Sequence, residues 1–456
     1  MNTSTIPVKK VLIHRAALLD GALWSLFAKV VGSFGLLVIS AFLVRVLSKA
    51  EVGTFLFLIN FVFVIGSICQ VGITSTVIKH VGIALAKSKN KGTPIFDSII
   101  IVTFTTSIFC LIYYFFLASH LSKMFSLEEF QSFRFIIVLW IGLRTWQILV
   151  AELFRANHNL RLASFYGGTA TNLLGAALVI WIYYYANDIT LYGWMACWLI
   201  MSAAISTTSV LILSSLIREA WRSYSISIER LFNYLRESIP ICLSSISVII
   251  VSRSDLWVVS HSTDTESLAS YAVAGQLSLV IGALIPVVNG VLSPMIPNYM
   301  ADERKSEVQD LIRAATSISS LISISLLIIF SLIGQQIIGF IYGPGFEDAL
   351  APTIYLGIAQ LVYSYFGAGG YILLHRGHQK TFLMITLVSA ITSVSTALVL
   401  SGMYSIVGVA FGYATGLIFQ TLACATYSYK LEGIRVDADM TFSSIFRLLK
   451  LRRRTS

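Results

Sequence analysis

Charge is scarce in this chain. Asp, Glu, Lys and Arg make up 12% of 456 residues, against 56% hydrophobic residues and a mean hydropathy of +0.81. A soluble domain carries roughly twice that share of charge, so a soluble fold is excluded and a polytopic membrane protein is expected. Long polar segments are lacking too: the apolar runs are separated by short gaps, which favours helices over the alternating strands of a barrel. Cysteine is limited to Cys69, Cys110, Cys197, Cys242 and Cys424, all inside apolar runs without ligand-like spacing. Neither disulfides nor a metal site is expected from them. With no nucleotide loop and no nucleophile–base constellation, no cofactor and no enzymatic activity are expected either. A cleavable signal is not expected, because the first apolar run is full length and follows a polar start.

What is present is a series of spans. Twelve are expected: Ala22–Val46, Val52–Ile78, Ile95–Ala118, Phe133–Leu153, Ala163–Ala186, Leu191–Leu216, Ile239–Ser260, Ala269–Ser293, Ala314–Ile333, Ala351–Leu374, Thr381–Leu400 and Ile406–Tyr427. Each is near the ~20 residues that a bilayer needs. If the N-terminus and every second gap are cytoplasmic, those segments hold 25 of the 32 basic residues. The opposite gaps favour acids such as Glu128, Glu129, Asp188, Glu347 and Asp348. The positive-inside rule then places both termini in the cytoplasm. This placement of the net charge of +10 argues against nucleic acid as a partner.

The charge-rich gap 217–238 divides a first lobe, 1–216, from a second, 239–430, and a basic tail follows at 431–456. Within the gap, Ser227–Arg236 is amphipathic and is expected to lie flat on the membrane surface. In the tail, Phe442–Arg454 reads equally as an interfacial helix drawn to anionic lipid or as a solvated segment. Arg155 to Arg161 after the fourth span parallels His375 to Lys380 after the tenth, and Leu191-Tyr192-Gly193 parallels Ile406-Val407-Gly408. A parallel repeat of six spans is a transporter signature. The expected fold is therefore an all-α membrane protein of twelve transmembrane helices in two pseudo-symmetric six-helix lobes.

Polar stripes run along the first two spans of each half. They comprise Ser25, Lys29, Ser33 and Ser40; Asn60, Ser67, Gln70 and Thr74; Ser244, Ser247, Ser254 and Asp255; and Gly275, Ser278, Asn289 and Ser293 with Pro286. A two-fold arrangement would gather them around one cavity, whereas helix packing alone also explains the small residues. Ionisable groups at membrane depth are costly, at about 2.5–3.5 kcal/mol each on insertion scales, so they mark candidate sites. Asp255 is expected to face inward. Arg253, two residues away and so on the other side of the helix, is expected to point outward, against Trp257. Arg144 lies near the middle of its span on one face with Trp140 and Gln147, with Asp255, Glu152 or a substrate as its partner. Arg45 and Arg134 lie near span ends, where snorkelling explains them. Deep charges that are mostly positive suit an anionic substrate such as a phosphate or diphosphate.

Several stretches carry a resemblance. They are Arg45 to Phe55, Gln70-Val71-Gly72-Ile73, Asp255 followed by Ser270 to Ala274, Pro294, and Tyr342 to Ala349. In this order the chain resembles, over roughly Leu18 to Tyr427, an O-antigen-type polysaccharide flippase of the multidrug/oligosaccharidyl-lipid/polysaccharide exporter superfamily. The resemblance implies a V-shaped, two-lobed bundle in the bacterial inner membrane. It also implies alternating-access movement of undecaprenyl-diphosphate-linked oligosaccharide, driven by an ion gradient, beside a polysaccharide polymerase and chain-length machinery. The implied cationic lumen falls on Lys29 and then Arg144. Relatives that flip the peptidoglycan precursor carry several arginines in the first two spans; the second span here has none, which disfavours that cargo. Substrate binding is expected at Lys29, Arg144, Asn60, Gln70, Asn289 and Arg253, and coupling or gating at Asp255, Arg45 and Pro286. The alternatives are a cation-coupled multidrug exporter and, from another class, a membrane polymerase or glycosyltransferase. For the latter the only acid pairs are Asp264 with Glu266 and Glu347 with Asp348, which read as loop charges.

Overall fold

A computed structural model describes residues 8–86, 92–157, 159–186, 189–221, 224–285 and 305–441. Among the described residues every regular element is helical. The first half contains α1 (Val8–Leu43), α2 (Lys49–Cys69), α3 (Ile73–Ala86), α4 (Gly92–Phe125), α5 (Arg134–Ala156), α6 (Leu160–Tyr185) and α7 (Leu191–Trp221). The second contains α8 (Ile228–Ser262), α9 (Thr265–Ile281), α10 (Lys305–Tyr342), α11 (Leu350–Phe366), α12 (Gly369–His375) and α13 (Gln379–Glu432).

Eight of these helices are long and apolar enough to cross a membrane, or nine if the bent α8 is taken as one span. The expected spans differ from these helices for local reasons. The second expected span is two helices, because Val71 (φ 47°) and Gly72 (φ 75°) adopt left-handed conformations between α2 and α3. Gly72 is required there twice over. Its φ is positive, and a Cβ would meet the Ser238 carbonyl and lie 2.8 Å from the Cys242 nitrogen. Conversely, α13 has 54 residues, about 80 Å at 1.5 Å per residue, too long for one crossing. It folds back at Tyr404 and Ser405 (φ 49°). Beyond the fold Gly408 packs on Leu400, Gly412 on Ala397 and Gly416 on Ser393, while the Ser389 hydroxyl donates to the Gly416 carbonyl at 2.6 Å. The apolar part of α1, Phe27–Leu43, and α9 are each too short to count alone.

The amphipathic segment is the start of α8, which runs on through Pro240 and bends by 54° between Ile249 and Ser252. Its first turns are tied down rather than free. Arg230 donates twice to the buried Asp97 carboxylate, at 2.7 and 3.1 Å, and the Tyr224 hydroxyl donates to it at 2.7 Å. Glu237 pairs with Lys79 and, at 2.9 Å, with His80. The second half repeats the arrangement, with the signs exchanged in the first pair and kept in the second. The segment after α13 lays Asp437 against Arg313 at 3.3 Å, and its Ile434, Val436 and Ala438 are buried against Val308, Ile312, Ala368 and Ile372. Glu432 accepts from Arg376 at 2.8 Å and contacts His378 at 2.9 Å. These ion pairs share the basic end of the bundle.

At the opposite end, helices of the two halves also touch. Ser48 and Glu51 form a capping box that starts α2, and Gly53 then packs so closely on α9 that a Cβ would meet the Thr265 carbonyl and lie 2.9 Å from the Ala269 nitrogen. The Ser40 hydroxyl donates to Gln276 at 2.7 Å, and Lys49 donates to the Gly345 carbonyl at 2.5 Å. Between the two ends the core is aromatic. Phe55 stacks on Trp140 with centroids 5.9 Å apart and meets Trp194 and Trp198 edge-on at 5.5 Å.

Candidate functional site

Enclosed by both halves is a cavity of about 430 Å³, and beside it a second of about 520 Å³. Leu36, Ser252, Gln276, Leu279, Gln360 and Tyr413 line both, so the two are neighbouring chambers of one space. Helices α1, α2, α8 and α9, the carriers of the polar stripes, all reach the first chamber, joined by α5, α6, α7, α11 and α13.

The charged part of the first chamber is built around Phe63 of α2. Arg144 enters from α5, where Trp140, Arg144 and Gln147 share one face as their spacing requires. Its guanidinium carbon lies 5.5 Å from the Phe63 centroid. From α8, Arg253 places its guanidinium 5.2 Å from the same ring. The outward orientation expected of Arg253 is therefore corrected. An aromatic face within the bundle attracts the cation, and the long side chain reaches around its helix to it. Trp257, the partner expected for Arg253, donates instead to the Asn60 side-chain oxygen at 3.1 Å.

Neither proposed acid neutralises Arg144. Glu152 pairs with Arg155, and Asp255, which lines the same chamber, accepts the Tyr271 hydroxyl at 3.1 Å. Among the described residues Arg144, Arg253 and Asp255 form no ion pair within 4.0 Å. Lys29 lines the second chamber, with Ser33, Gln360 and Gln420 among its polar neighbours and a mostly aliphatic remainder. Among the described residues the space is thus lined by three cations and one acid.

Two expected site residues lie elsewhere. Gln70 is buried at the end of α2, donating to the Thr145 carbonyl at 2.7 Å, and joins α2 to α5 rather than lining a chamber. Its place on the polar stripe stops counting because the helix breaks one residue later. Arg45 sits exposed beyond α1, bonded to the Ala41 carbonyl and, at 3.2 Å, to that of Phe340. It links the two halves at the end opposite the basic one. Pro286 and Asn289 lie outside the described residues, as do Pro294 and the tail Phe442–Arg454.

Other lining residues carried little sequence signal. Thr171, Asn172, Gln276, Gln360 and Tyr413 are neutral and isolated within apolar runs, where packing explains them equally well. Gly167 and Gly168 border the cavity inside a wide turn of α6, and Gly168 has φ 145°, a conformation open to glycine.

The chain matches the polysaccharide biosynthesis protein family over residues 18–300 and the MatE family over 240–399. No curated protein matches it. Among solved structures it is similar to the lipid II flippase MurJ in an inward closed conformation, with TM-score 0.70 and 14% identity over 90% of this chain and 87% of that one. It is also similar to an inward-facing multidrug resistance MATE transporter of the MOP superfamily, with TM-score 0.66 and 13% identity over 90% and 97%. The MATE multidrug transporter DinF-BH gives TM-score 0.67 at 11% identity over 94% and 97%. These relatives are transporters and a flippase, not enzymes, and their fold is the one described above. With the first match spanning well over half its length, the chain belongs to the polysaccharide biosynthesis protein family.

Proposed function

We propose that this protein flips undecaprenyl-diphosphate-linked oligosaccharide units across the bacterial inner membrane for surface polysaccharide synthesis of the O-antigen type. The observation that carries this reading is the pair Arg144 and Arg253, deep in one cavity, stacked on one ring and, among the described residues, in no ion pair. Two guanidinium groups facing a single acid in a low-dielectric space favour a dense anion, and their planar forks suit phosphate oxygens. Lys29 in the adjoining chamber extends the positive field, and the aliphatic walls there suit the start of the prenyl chain.

The topology in this proposal is twelve spans with both termini in the cytoplasm. Residues 1–216 and 239–430 form two lobes, 217–238 is the link between them and 431–456 a basic tail. It assigns the basic end of the bundle to the cytoplasm. Alternating access then means parting the Arg45, Lys49 and Ser40 contacts at the outer end while the other end closes. Asp255, the acid facing the cations, is the candidate for ion coupling, and a polymerase with chain-length machinery the candidate partner in the membrane.

The test is the sidedness of lipid-linked oligosaccharide in cells with and without the gene. Accumulation on the cytoplasmic face in its absence supports flipping; unchanged sidedness refutes it. Lys29→Ala and Asp255→Asn are each expected to impair export at normal membrane abundance. The second reading, a cation-coupled drug exporter, is favoured by Asp255 and the MatE match. It predicts altered efflux of cationic dyes with no change in glycolipid.

A further inference from the structure

The Ser323 hydroxyl of α10 lies 2.7 Å from the Ser364 hydroxyl of α11, and a Cβ on Gly334 would come within 2.6 Å of Leu350. Numbers rise along one helix as they fall along the other, so α10 and α11 form an antiparallel hairpin with its tip at 343–349. The tip and the end of α10 that leads into it hold the first half. Arg45 donates to the Phe340 carbonyl at 3.2 Å, and the Ser40 hydroxyl lies 3.3 Å from that of Tyr342. Lys49 donates to the Gly345 carbonyl at 2.5 Å and sits 5.2 Å from the Phe346 ring centroid.

The open end of the same hairpin is bridged. Gly433, in the left-handed conformation (φ 71°), ends α13. Beyond it side chains alternate as in a strand: Ile434, Val436 and Ala438 are buried, whereas Arg435 is exposed and Asp437 half-buried. Three backbone amides of this segment donate to the hairpin. Arg435 donates to the Gln309 side-chain oxygen at 2.9 Å and Asp439 to the Ser317 hydroxyl at 2.7 Å, both on α10. Ala438 donates to the Tyr365 carbonyl at 3.0 Å, on α11. Tyr365 stands in the last turn of its helix, where carbonyls have no intrahelical donor. Residues 433–441 are therefore a crosspiece between α10 and α11.

We propose that residues 433–441 are a clasp: seated across the open end of the hairpin, they hold its tip latched to the first half. The chain leaving α13 then controls opening at the opposite end of the bundle. Seated, the clasp fixes α10 at Ser317 relative to α11 at Tyr365. Released, it lets those ends separate. The α11 helix joins the Tyr365 end to the tip over about 25 Å, by 1.5 Å per residue, and a stiff helix carries such a displacement along its length. The clasp can leave without the hairpin unfolding, because Ser323 and Ser364 hold the two helices independently of it. The inference goes beyond the flippase reading and does not depend on the cargo.

The experiment is hydrogen–deuterium exchange of the full chain in nanodiscs, read at the tip, 343–349, and at the clasp, 433–441. Ser317→Ala with Ala438→Pro removes two of the clasp's bonds, since proline has no N–H to donate. This variant is expected to speed exchange at the tip as well as at the clasp. Lys49→Met, at the far end, is expected to speed exchange at the clasp as well as at the tip. Coupling between two sites is reciprocal, so the two remote effects should match, at about fivefold or more. A clasp that keeps its natural exchange rate in Lys49→Met overturns the inference, and this arm decides even if the clasp variant fails to fold. A tip that keeps its rate when the clasp is freed, or that ignores Lys49→Met, overturns it too. None of these outcomes bears on lipid sidedness, so the flippase reading stands or falls separately.

Discussion

The charges at the basic end of the bundle and those in the cavity are treated in opposite ways. At the end, Asp97 with Arg230, Glu237 with Lys79 and His80, Glu432 with Arg376 and His378, and Asp437 with Arg313 and Arg435 all find partners of opposite sign. In the cavity, Arg144 and Arg253 share an aromatic ring and, among the described residues, form no ion pair, the Asp255 carboxylate accepting from Tyr271 instead. Water can reach the end, where pairing adds modestly to stability; leaving cations unpaired inside a membrane bundle is costly and persists where a ligand uses them. The basic end thus fastens the link and the segment after α13 to the bundle, while the cavity keeps its charge available.

Breaking the cavity side of this contrast is expected to have the largest effect. Arg144→Ala and Arg253→Ala each remove charge-assisted bonds of about 1.5–3 kcal/mol, so transport in a sidedness assay should fall about tenfold to a hundredfold. Melting temperature in detergent should hold or rise, because an unpaired buried cation is removed. A large loss of thermal stability instead would make these arginines structural.

Next in size is Asp97→Ala, which leaves Arg230 and the Tyr224 hydroxyl without their shared acceptor. Because Asp97 is buried and Arg230 half-exposed, a destabilisation of about 1–3 kcal/mol is expected by thermal unfolding. Substrate affinity of the folded fraction should be unchanged. If affinity dropped with stability intact, the division between fastening and binding would fail.

The smallest effect is a pH dependence. Hydrogen bonds from Lys79 and then His80 hold the Glu237 carboxyl below its ordinary value of 4.5. Burial opposes ionisation of Glu432, but His378 and Arg376 outweigh it and its pKa is likewise lowered. A carboxylate whose pKa is depressed on folding contributes stability that is complete above the unfolded value and lost as pH falls through the folded one. Stability should therefore decline below about pH 4.5, and Glu237→Gln should flatten that decline by no more than about 1 kcal/mol, since the pair is partly exposed. An unchanged acid limb in that variant would show that this pair does not fasten α3 to α8.

Of the site, the residues that could be read in advance were those whose presence in an apolar run is itself improbable. Lys29, Arg144 and Asp255 stood out by charge, and all three line the chambers. Asn60 followed from helical spacing. The same spacing failed for Gln70, because the period holds only while the helix does and Val71 ends it. It failed for Arg253 because a long side chain is not confined to the face its Cα occupies. Thr171, Gln360 and Tyr413 were hidden because a neutral polar residue in a span is explained equally well by packing.

The sequence by itself determined that the chain is helical, is suited to a membrane and belongs to the polysaccharide biosynthesis protein family. These properties rest on local runs, on the short gaps between them and on motifs read in order. The break after Gln70, the fold-back at Ser405, the continuation of the link into α8 and the meeting of Arg144 with Arg253 over Phe63 were decided only in three dimensions. Each depends on which helices touch and where a backbone must give way to let them. That information is spread over residues far apart in the chain, whereas hydropathy is written one residue at a time.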